Sequence, residues 1–206
     1  MLKERLLFDD SAGSHGDVQQ LSREVEANDA WLVRQCQNGN QESFRYLYRR
    51  HQKKVRSLLY QLCGPVALDD LVQEVFLRVW HGLSKLRNPD RFSTWLYRIT
   101  WNVASDRRRT LAREKASMAW GATVETKTDG QSHCTLSKLH AEQLVQQALE
   151  QLPLKQRVVV VLHDLQDLPQ KQIAQVLHLP VGTIKSRLFH ARQQLRQFLQ
   201  AQGVDL

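Results

Sequence analysis

Apolar residues along this chain recur every three or four positions, in blocks separated by polar or glycine- and proline-containing breaks. That spacing predicts amphipathic helices. The clearest block carries Phe44, Leu47, Tyr48, His51, Val55, Leu58, Leu59 and Leu62, a stripe about five turns long at 3.6 residues per turn. Asn40 stands ahead of it as an N-cap, Glu42 suits the positive end of the helix dipole, and Gly64-Pro65 closes it. A shorter helix before it, capped by Asn28 or Asp29, is predicted to bury Trp31, Leu32 and Cys36 and to end near Gly39. A third helix, from about Ala67 to Leu83, turns Leu68, Leu71, Val72, Val75, Phe76 and Val79 inward and leaves Asp69, Asp70, Gln73 and Glu74 on other faces. Asn88-Pro89-Asp90 reads as a loop. A fourth helix, from about Phe92 to Arg113, buries Phe92, Trp95, Leu96, Ile99 and Val103, while Thr94, Tyr97, Arg98, Trp101, Asn102 and Ser105 fall off that stripe.

The period lapses between about Lys115 and Ser137, where Gly121, Thr123, Thr126, Thr128, Asp129-Gly130 and Ser132 predict a flexible linker. It resumes in a helix bearing Leu139, Leu144, Val145, Ala148, Leu149 and Leu152, which Pro153 interrupts. The run Val158 to Leu162 is locally strand-like, but no partner strand is evident, so it is expected to be a buried helix. From Leu168 to Leu195 a short helix with Ile173, Ala174 and Leu177 inward is joined by the turn His178-Leu179-Pro180 to a longer one, with Pro169 suited to the first helical position. Residues 1–27, acidic and polar, are expected to form a disordered tail, and 201–206 a short one. The predicted fold class is all-α: two small helical domains, 28–114 and 138–200, joined by the linker 115–137.

A short helix, a tight turn and a second helix holding Lys185, Arg187, Arg192 and Arg196 with no acid is the layout of a helix-turn-helix, spanning about 169–188, whose second helix enters the DNA major groove. Ile184, Leu188, Ala191 and Leu195 form its inward face. Thr183, Lys185, Ser186, Arg187 and His190 come within reach of DNA, and Arg192 and Arg196 suit phosphates. A basic, solvated bundle helix is the bland alternative. Charge distribution bears on the choice. The net charge is +8, and it is blocked: six basic residues against one acid from Gln41 to Tyr60, seven against two from Arg91 to Lys115, but three against six over the first 28 residues. Localised basic blocks favour a polyanion footprint over a uniformly solvated surface. The fourth helix adds aromatics to cations. Tyr97 and Trp101 are candidates for stacking on unpaired bases, Arg98, Arg107, Arg108 and Arg109 for phosphate neutralisation, and Trp95 for the core. Asp69, Asp70 and Glu74 admit two readings, stabilisation of a helix N-terminus or a docking face for a basic protein partner.

Cys36, Cys63 and Cys134 lack metal-type spacing and are expected to be reduced thiols of a cytosolic protein, the first two in the core. His133-Cys134 with His140 lacks a fourth ligand at a convincing spacing, so no metal and no cofactor are expected. No run approaches about 18 apolar residues, so no membrane insertion is expected. No catalytic Ser/His/Asp arrangement or phosphate-binding glycine loop is found, and the chain is not expected to be an enzyme.

ALDDLVQEVFLRVWHGL (Ala67–Leu83) followed by RFSTWLYRITWNVASDRRR (Arg91–Arg109) closely resembles region 2 of bacterial sigma-70-family factors. LEQLPLKQRVVVVLHDLQDLPQKQIAQVLHLPVGTIKSRLFHARQQL (Leu149–Leu195) resembles their region 4. The order, and the absence of room for a region 3 between them, resemble the extracytoplasmic-function (ECF) subgroup. The resemblance implies a bacterial, cytoplasmic transcription-initiation factor that binds core RNA polymerase through the β′ clamp helices and the β subunit. Asp69, Asp70, Gln73 and Glu74 are then the core-binding candidates. It implies that Asn88, Arg91, Tyr97, Arg98, Trp101, Asn102, Arg107 and Arg108 open and read the −10 promoter element, with the loop Arg87–Arg91 pocketing a flipped base. Thr183, Lys185, Ser186, Arg187, His190 and Arg192 would read the −35 element, and an anti-sigma protein is an implied partner. Lys185 and His190 stand where many relatives carry Arg, so the −35 preference does not carry over. Two other readings are a stand-alone helix-turn-helix regulator, which leaves Asp69–Leu83 unexplained, and a recombinase or transposase accessory, which lacks a catalytic Ser or carboxylate–metal cluster.

Overall fold

The computed structural model describes residues 28–118 and 136–204. The expected acidic tail, the stretch 119–135 of the expected linker and the His133-Cys134 pair lie outside the described residues. Eight α-helices make up the described chain: α1 (Asp29–Gln37), α2 (Gln41–Cys63), α3 (Leu68–Gly82), α4 (Phe92–Met118), α5 (Leu136–Gln151), α6 (Leu154–Val160), α7 (Gln170–Leu177) and α8 (Val181–Ala201). Two 3-10 turns, Leu83–Lys85 and Pro89–Arg91, lie between α3 and α4, and a π-helical turn, Val161–Leu165, extends α6.

The caps fall where the polar punctuation placed them. The Asn28 side chain accepts from the Trp31 N–H at 2.8 Å and that of Asn40 from the Ser43 N–H at 3.1 Å, each satisfying an orphan donor of a helix N-terminus. Gly64, at φ +80°, ends α2 in a conformation that a Cβ disfavours. The core of the first half forms where α2, α3 and α4 meet: Leu47, Val55, Leu58, Leu59, Leu62, Val75, Val79 and Phe92 have no solvent exposure. Edge-on ring contacts reinforce it, Phe44 on Trp80 at 4.8 Å and Tyr48 on Phe76 at 4.6 Å.

Three expectations change. Trp31 is 40% exposed, because Ala30, Leu32 and Val33 occupy the buried arc of α1 and position 31 falls opposite it. Helix α4 continues past Arg113 to Met118, since nothing between them breaks a helix. The Val158–Leu162 run is buried and helical, as expected, but its last residues open into a π turn, whose extra residue no hydrophobic period marks. Buried Arg157 donates to the Glu150 and Leu152 carbonyls at 2.9 and 3.4 Å, satisfying the C-terminal end of α5.

Asp29 ties α1 to α2, 2.8 Å from Arg50 and 2.9 Å from His51. Burial pushes its carboxyl up, but the hydrogen bond to His51 and the Arg50 guanidinium outweigh that and hold it below the usual carboxylate value. A depressed folded pKa contributes stability above the unfolded value of about 3.9 that is lost as pH falls through the folded one. Asp29→Asn is therefore expected to lower the urea midpoint at pH 7 and to lose that difference progressively in acid below about pH 4. A gap independent of pH would remove the electrostatic account. Gly82 ends α3 where a Cβ would lie 2.7 Å from Trp95 Cζ2. Alanine gains about 1 kcal/mol of helix propensity, yet overpacking costs about 1–3 kcal/mol. A net loss is expected for Gly82→Ala in denaturant unfolding, and a stabilised variant would contradict it.

Candidate nucleic-acid and protein interface

The helix-turn-helix is built by two backbone devices. His178 takes the left-handed conformation (φ +53°, ψ +47°) and its N–H returns to the Ala174 carbonyl, which stops α7. Pro180, extended, starts α8 by receiving the Thr183 and Ile184 N–H groups at 3.0 and 3.2 Å. Ile173, Ala174 and Val176 of α7 are buried, as are Ile184, Leu188 and Ala191 of α8. Leu177, expected inward, is only half-buried, and Val176 takes its place. Lys185, Ser186 and His190 are exposed on the opposite face, with Thr183 and Arg187 half-buried beside them.

Arg192 is engaged. Its guanidinium pairs with both carboxylate oxygens of Asp164 in the π turn, with Nε 3.2 Å from Oδ2, and Asp164 also meets His163 at 2.7 Å. Burial pushes the Asp164 carboxyl up, and the Arg192 and His163 bonds outweigh it to leave it below the usual range. Arg192 thus moors α8 to the π turn, a role that sequence spacing did not reveal. Spacing also passed over Phe189, 67% exposed on α8 and edge-on to His190 at 5.5 Å. A large exposed apolar side chain on a basic helix was its available signal.

On α4 and the loop before it, the candidate residues divide. Asn88 and Arg91 are exposed, and the Asn88 side chain accepts from the Asp90 N–H at 3.1 Å, which shapes the Pro89–Arg91 turn. Asn102 is exposed, and Trp101 lies half-buried against the core. Arg108 donates to the Leu62 carbonyl at 2.9 Å and so closes the end of α2. Tyr97, expected to be solvent-facing, is only 6% exposed, and Thr94 only 9%. The cause is the second half of the chain. The α7 side chain Gln172 donates to Thr94 Oγ1 at 2.9 Å, and Arg98 donates to the Gln175 carbonyl at 2.9 Å. Tyr97 Oη lies 3.5 Å from the side-chain oxygen of Gln166, whose amide donates to Ser57 at 3.4 Å. Burial pushes the Tyr97 phenol up. A hydrophobic stripe marks one buried face per helix, and α4 has two, the second lined by Thr94, Tyr97 and Arg98.

The acidic face of α3 stands apart from the seam. Asp70 and Gln73 are exposed, Asp69 pairs with Arg56, and Glu74 pairs with Arg78 at 2.8 Å, which also reaches Asp106 at 3.2 Å. Cys36 and Cys63 are half-buried; burial pushes the Cys36 thiol up to about 12 and raises that of Cys63, so neither is a ready thiolate. No described helix is long and apolar enough to cross a membrane.

Described residues that are helical throughout their regular structure, with a basic helix-turn-helix in one half, an aromatic and basic helix in the other and a separate acidic helix face, define the class of bipartite DNA-binding transcription proteins. Comparison with known proteins places the chain within that class. Residues 47–114 match the sigma-70 region 2 family model and residues 142–195 that of sigma-70 region 4. The chain is 32% identical over 178 residues to the ECF RNA polymerase sigma-E factor of Escherichia coli (strain K12), covering 82% of this chain and 92% of that protein. It is 28% identical over 185 residues to the ECF RNA polymerase sigma-E factor of Haemophilus influenzae, covering 85% and 97%. The solved structure of CnrH in complex with the cytosolic domain of CnrY superposes with a TM-score of 0.65 at 28% identity, covering 84% of this chain and 97% of that one. The chain belongs to the ECF group of sigma-70-family RNA polymerase sigma factors.

Replacing Gln166 and Gln172 together by alanine is expected to loosen the seam. Losing its side-chain hydrogen bonds should speed amide exchange in α7 and around Tyr97 by about tenfold, with α2 and α3 unchanged. Exchange as slow as in the parent protein would show that these bonds do not hold the halves together.

Proposed function

We propose that this protein is an alternative sigma factor: it binds core RNA polymerase, directs it to particular promoters through their −35 and −10 elements, and promotes melting of the DNA. The observation that carries this reading is the pairing, within one chain and in family order, of a region 2 half and a region 4 half, each with a basic helix suited to DNA. The protein supplies recognition and positioning, and polymerase supplies the chemistry. It therefore works in the bacterial cytoplasm. A stand-alone regulator would need no polymerase-docking surface, and nothing in that reading accounts for the region 2 match.

The division of labour follows from chemistry. Exposed Asp70 and Gln73, with Asp69 and Glu74 beside them, form an acidic docking face for the β′ clamp helices, and the β subunit completes the core contact. Asn88, Arg91, Trp101, Asn102, Arg107 and Arg108 serve the −10 element, where aromatic stacking stabilises unpaired bases by about 1–3 kcal/mol each. Tyr97 and Arg98 join them once α7 is withdrawn. Thr183, Lys185, Ser186, Arg187 and His190 serve the −35 element, with Arg192 oriented by Asp164 at the edge of that surface. Elements about 25 base pairs apart at about 3.4 Å per step lie roughly 85 Å from one another along duplex DNA, whereas the seam holds the two readers in contact. The seam must therefore part before both elements are read. CnrH was solved with the cytosolic domain of another protein, CnrY, and an anti-sigma protein holding the closed form fits the same logic.

Run-off transcription with purified core polymerase tests the reading. Specific initiation should depend on this protein, and its absence with competent core would overturn the proposal. In the same assay Asp70→Arg with Glu74→Arg should weaken core binding by tenfold or more while leaving circular dichroism unchanged, since charge reversal replaces attraction by repulsion. Lys185→Ala with Arg187→Ala should lower −35-dependent initiation by about tenfold, given roughly 1–3 kcal/mol per base contact. Equal activity on promoters with a scrambled −35 element would contradict that assignment.

A further inference from the structure

The loop that carries Asn88 and Arg91 is held by a side chain from a helix outside the matched region 2 segment. Gln37, the last residue of α1, donates from its amide nitrogen to the Leu83 carbonyl at 2.9 Å and to the Leu86 carbonyl at 2.9 Å. An amide group has two N–H donors, and both are used. Leu83 begins the first 3-10 turn, Leu86 follows its last residue, and the Leu86 N–H closes the turn onto Leu83 at 3.1 Å. Leu86 is extended (φ −73°, ψ 102°), so its carbonyl sets the direction in which the chain leaves for Arg87 and Asn88. The far end of the loop is fixed by Phe92, which is fully buried. Between those anchors Arg87, Asn88, Asp90 and Arg91 are all exposed.

Helix α1 is a firm support. Leu32 and Val33 have no exposure, Ala30 is buried, and Asp29 holds His51 and Arg50 of α2. α1 also packs directly against both 3-10 turns. A donor on this helix therefore transmits the rigidity of the core to one end of an otherwise exposed loop.

We propose that Gln37 is a positioning residue for base recognition: it touches no DNA, and it fixes the loop 86–91 so that Asn88 and its neighbours meet a single unpaired base in one orientation. The inference rests on the proposed function, in which Asn88 and Arg91 serve the −10 element, and on the sigma-family resemblance, which implies that their loop pockets a flipped base. It adds that the fidelity of this step is set from α1, through two hydrogen bonds to backbone carbonyls. Gln37→Glu is nearly the same size but removes both donors and turns a carboxylate onto two carbonyl oxygens. Gln37→Lys restores N–H donors, one bond farther out on a flexible side chain that can still reach the two carbonyls.

The test uses the full chain and a pool of single-stranded DNA oligonucleotides with a short randomised window, recovered by binding and sequenced. The parent protein should enrich one base at a position whose preference Asn88→Ala flattens. Gln37→Glu should reduce the preference at that same position by about fivefold to tenfold, the equivalent of one or two hydrogen bonds. Preferences at other positions should stay, and Gln37→Lys should restore most of the loss. Preference retained in Gln37→Glu while Asn88→Ala flattens it would overturn the role of Gln37 and leave the loop reading intact. Equal flattening at every position, or loss of helical circular dichroism in Gln37→Glu, would mean a general structural role and overturn the proposal. No preferred base in the parent protein, or one insensitive to Asn88→Ala and Arg91→Ala, would overturn the loop reading and the role of Gln37 with it.

Discussion

Helix α4 has to satisfy two partners at once, and most of the arrangement follows from that constraint. Phe92, Leu96 and Val103 go into the core with α2 and α3, while Thr94 and Arg98 meet α7 and Tyr97 meets Gln166 just ahead of it. The first set is apolar and permanent: burying side chains of this size stabilises by about 1.5–3 kcal/mol each, before ordering costs are set against it. The second set is mostly hydrogen-bonded through uncharged glutamines and a backbone carbonyl, at a net worth nearer 1 kcal/mol per bond. A strong face and a weaker one on the same helix give a first half with its own apolar core beside a junction held partly by hydrogen bonds.

That difference suits a protein whose two readers serve separate sites. A seam built of buried ion pairs would resist separation, because parting leaves uncompensated charge. Glutamine, threonine and tyrosine exchange their partners for water at little cost. The strong charges are used elsewhere, and locally. Asp164 and Arg192 join the π turn to α8 within the second half, and Asp29, Arg50 and His51 join α1 to α2 within the first. Ion pairs thus stiffen each half internally, whereas the charge that crosses the seam, Arg98, donates to a backbone carbonyl and not to a carboxylate.

Much of the fold was legible because helices announce themselves by period and punctuation. The α2 stripe from Phe44 to Leu62, the caps Asn28 and Asn40, the break at Pro153 and the turn at His178 are local features, decided by residues within one or two turns of each other. The inward faces of α3 and α8 were legible for the same reason. Trp31 was misread because a nine-residue helix offers too few apolar positions to define its buried arc. The π turn was not legible, since one extra residue in a buried apolar run leaves no mark in the pattern.

The candidate site was legible as chemistry and less so as geometry. Residue type and spacing determined that α8 would be basic without acids, that α4 would combine aromatics with arginines and that α3 would carry acids away from the core, while the order of the sigma family came from the resemblance of the quoted motifs. Tertiary structure decided which of those groups are covered or engaged: Tyr97 beside Gln166, Arg98 on Gln175, and Thr94 on Gln172, at sequence separations of 69, 77 and 78 residues. It also decided that Gln37 reaches Leu83 and Leu86, 46 and 49 positions away. The physical reason is the same in each case. A helical period reports which face of a helix is apolar, whereas a hydrogen bond between polar side chains on different helices depends on how those helices pack, and no local spacing encodes that.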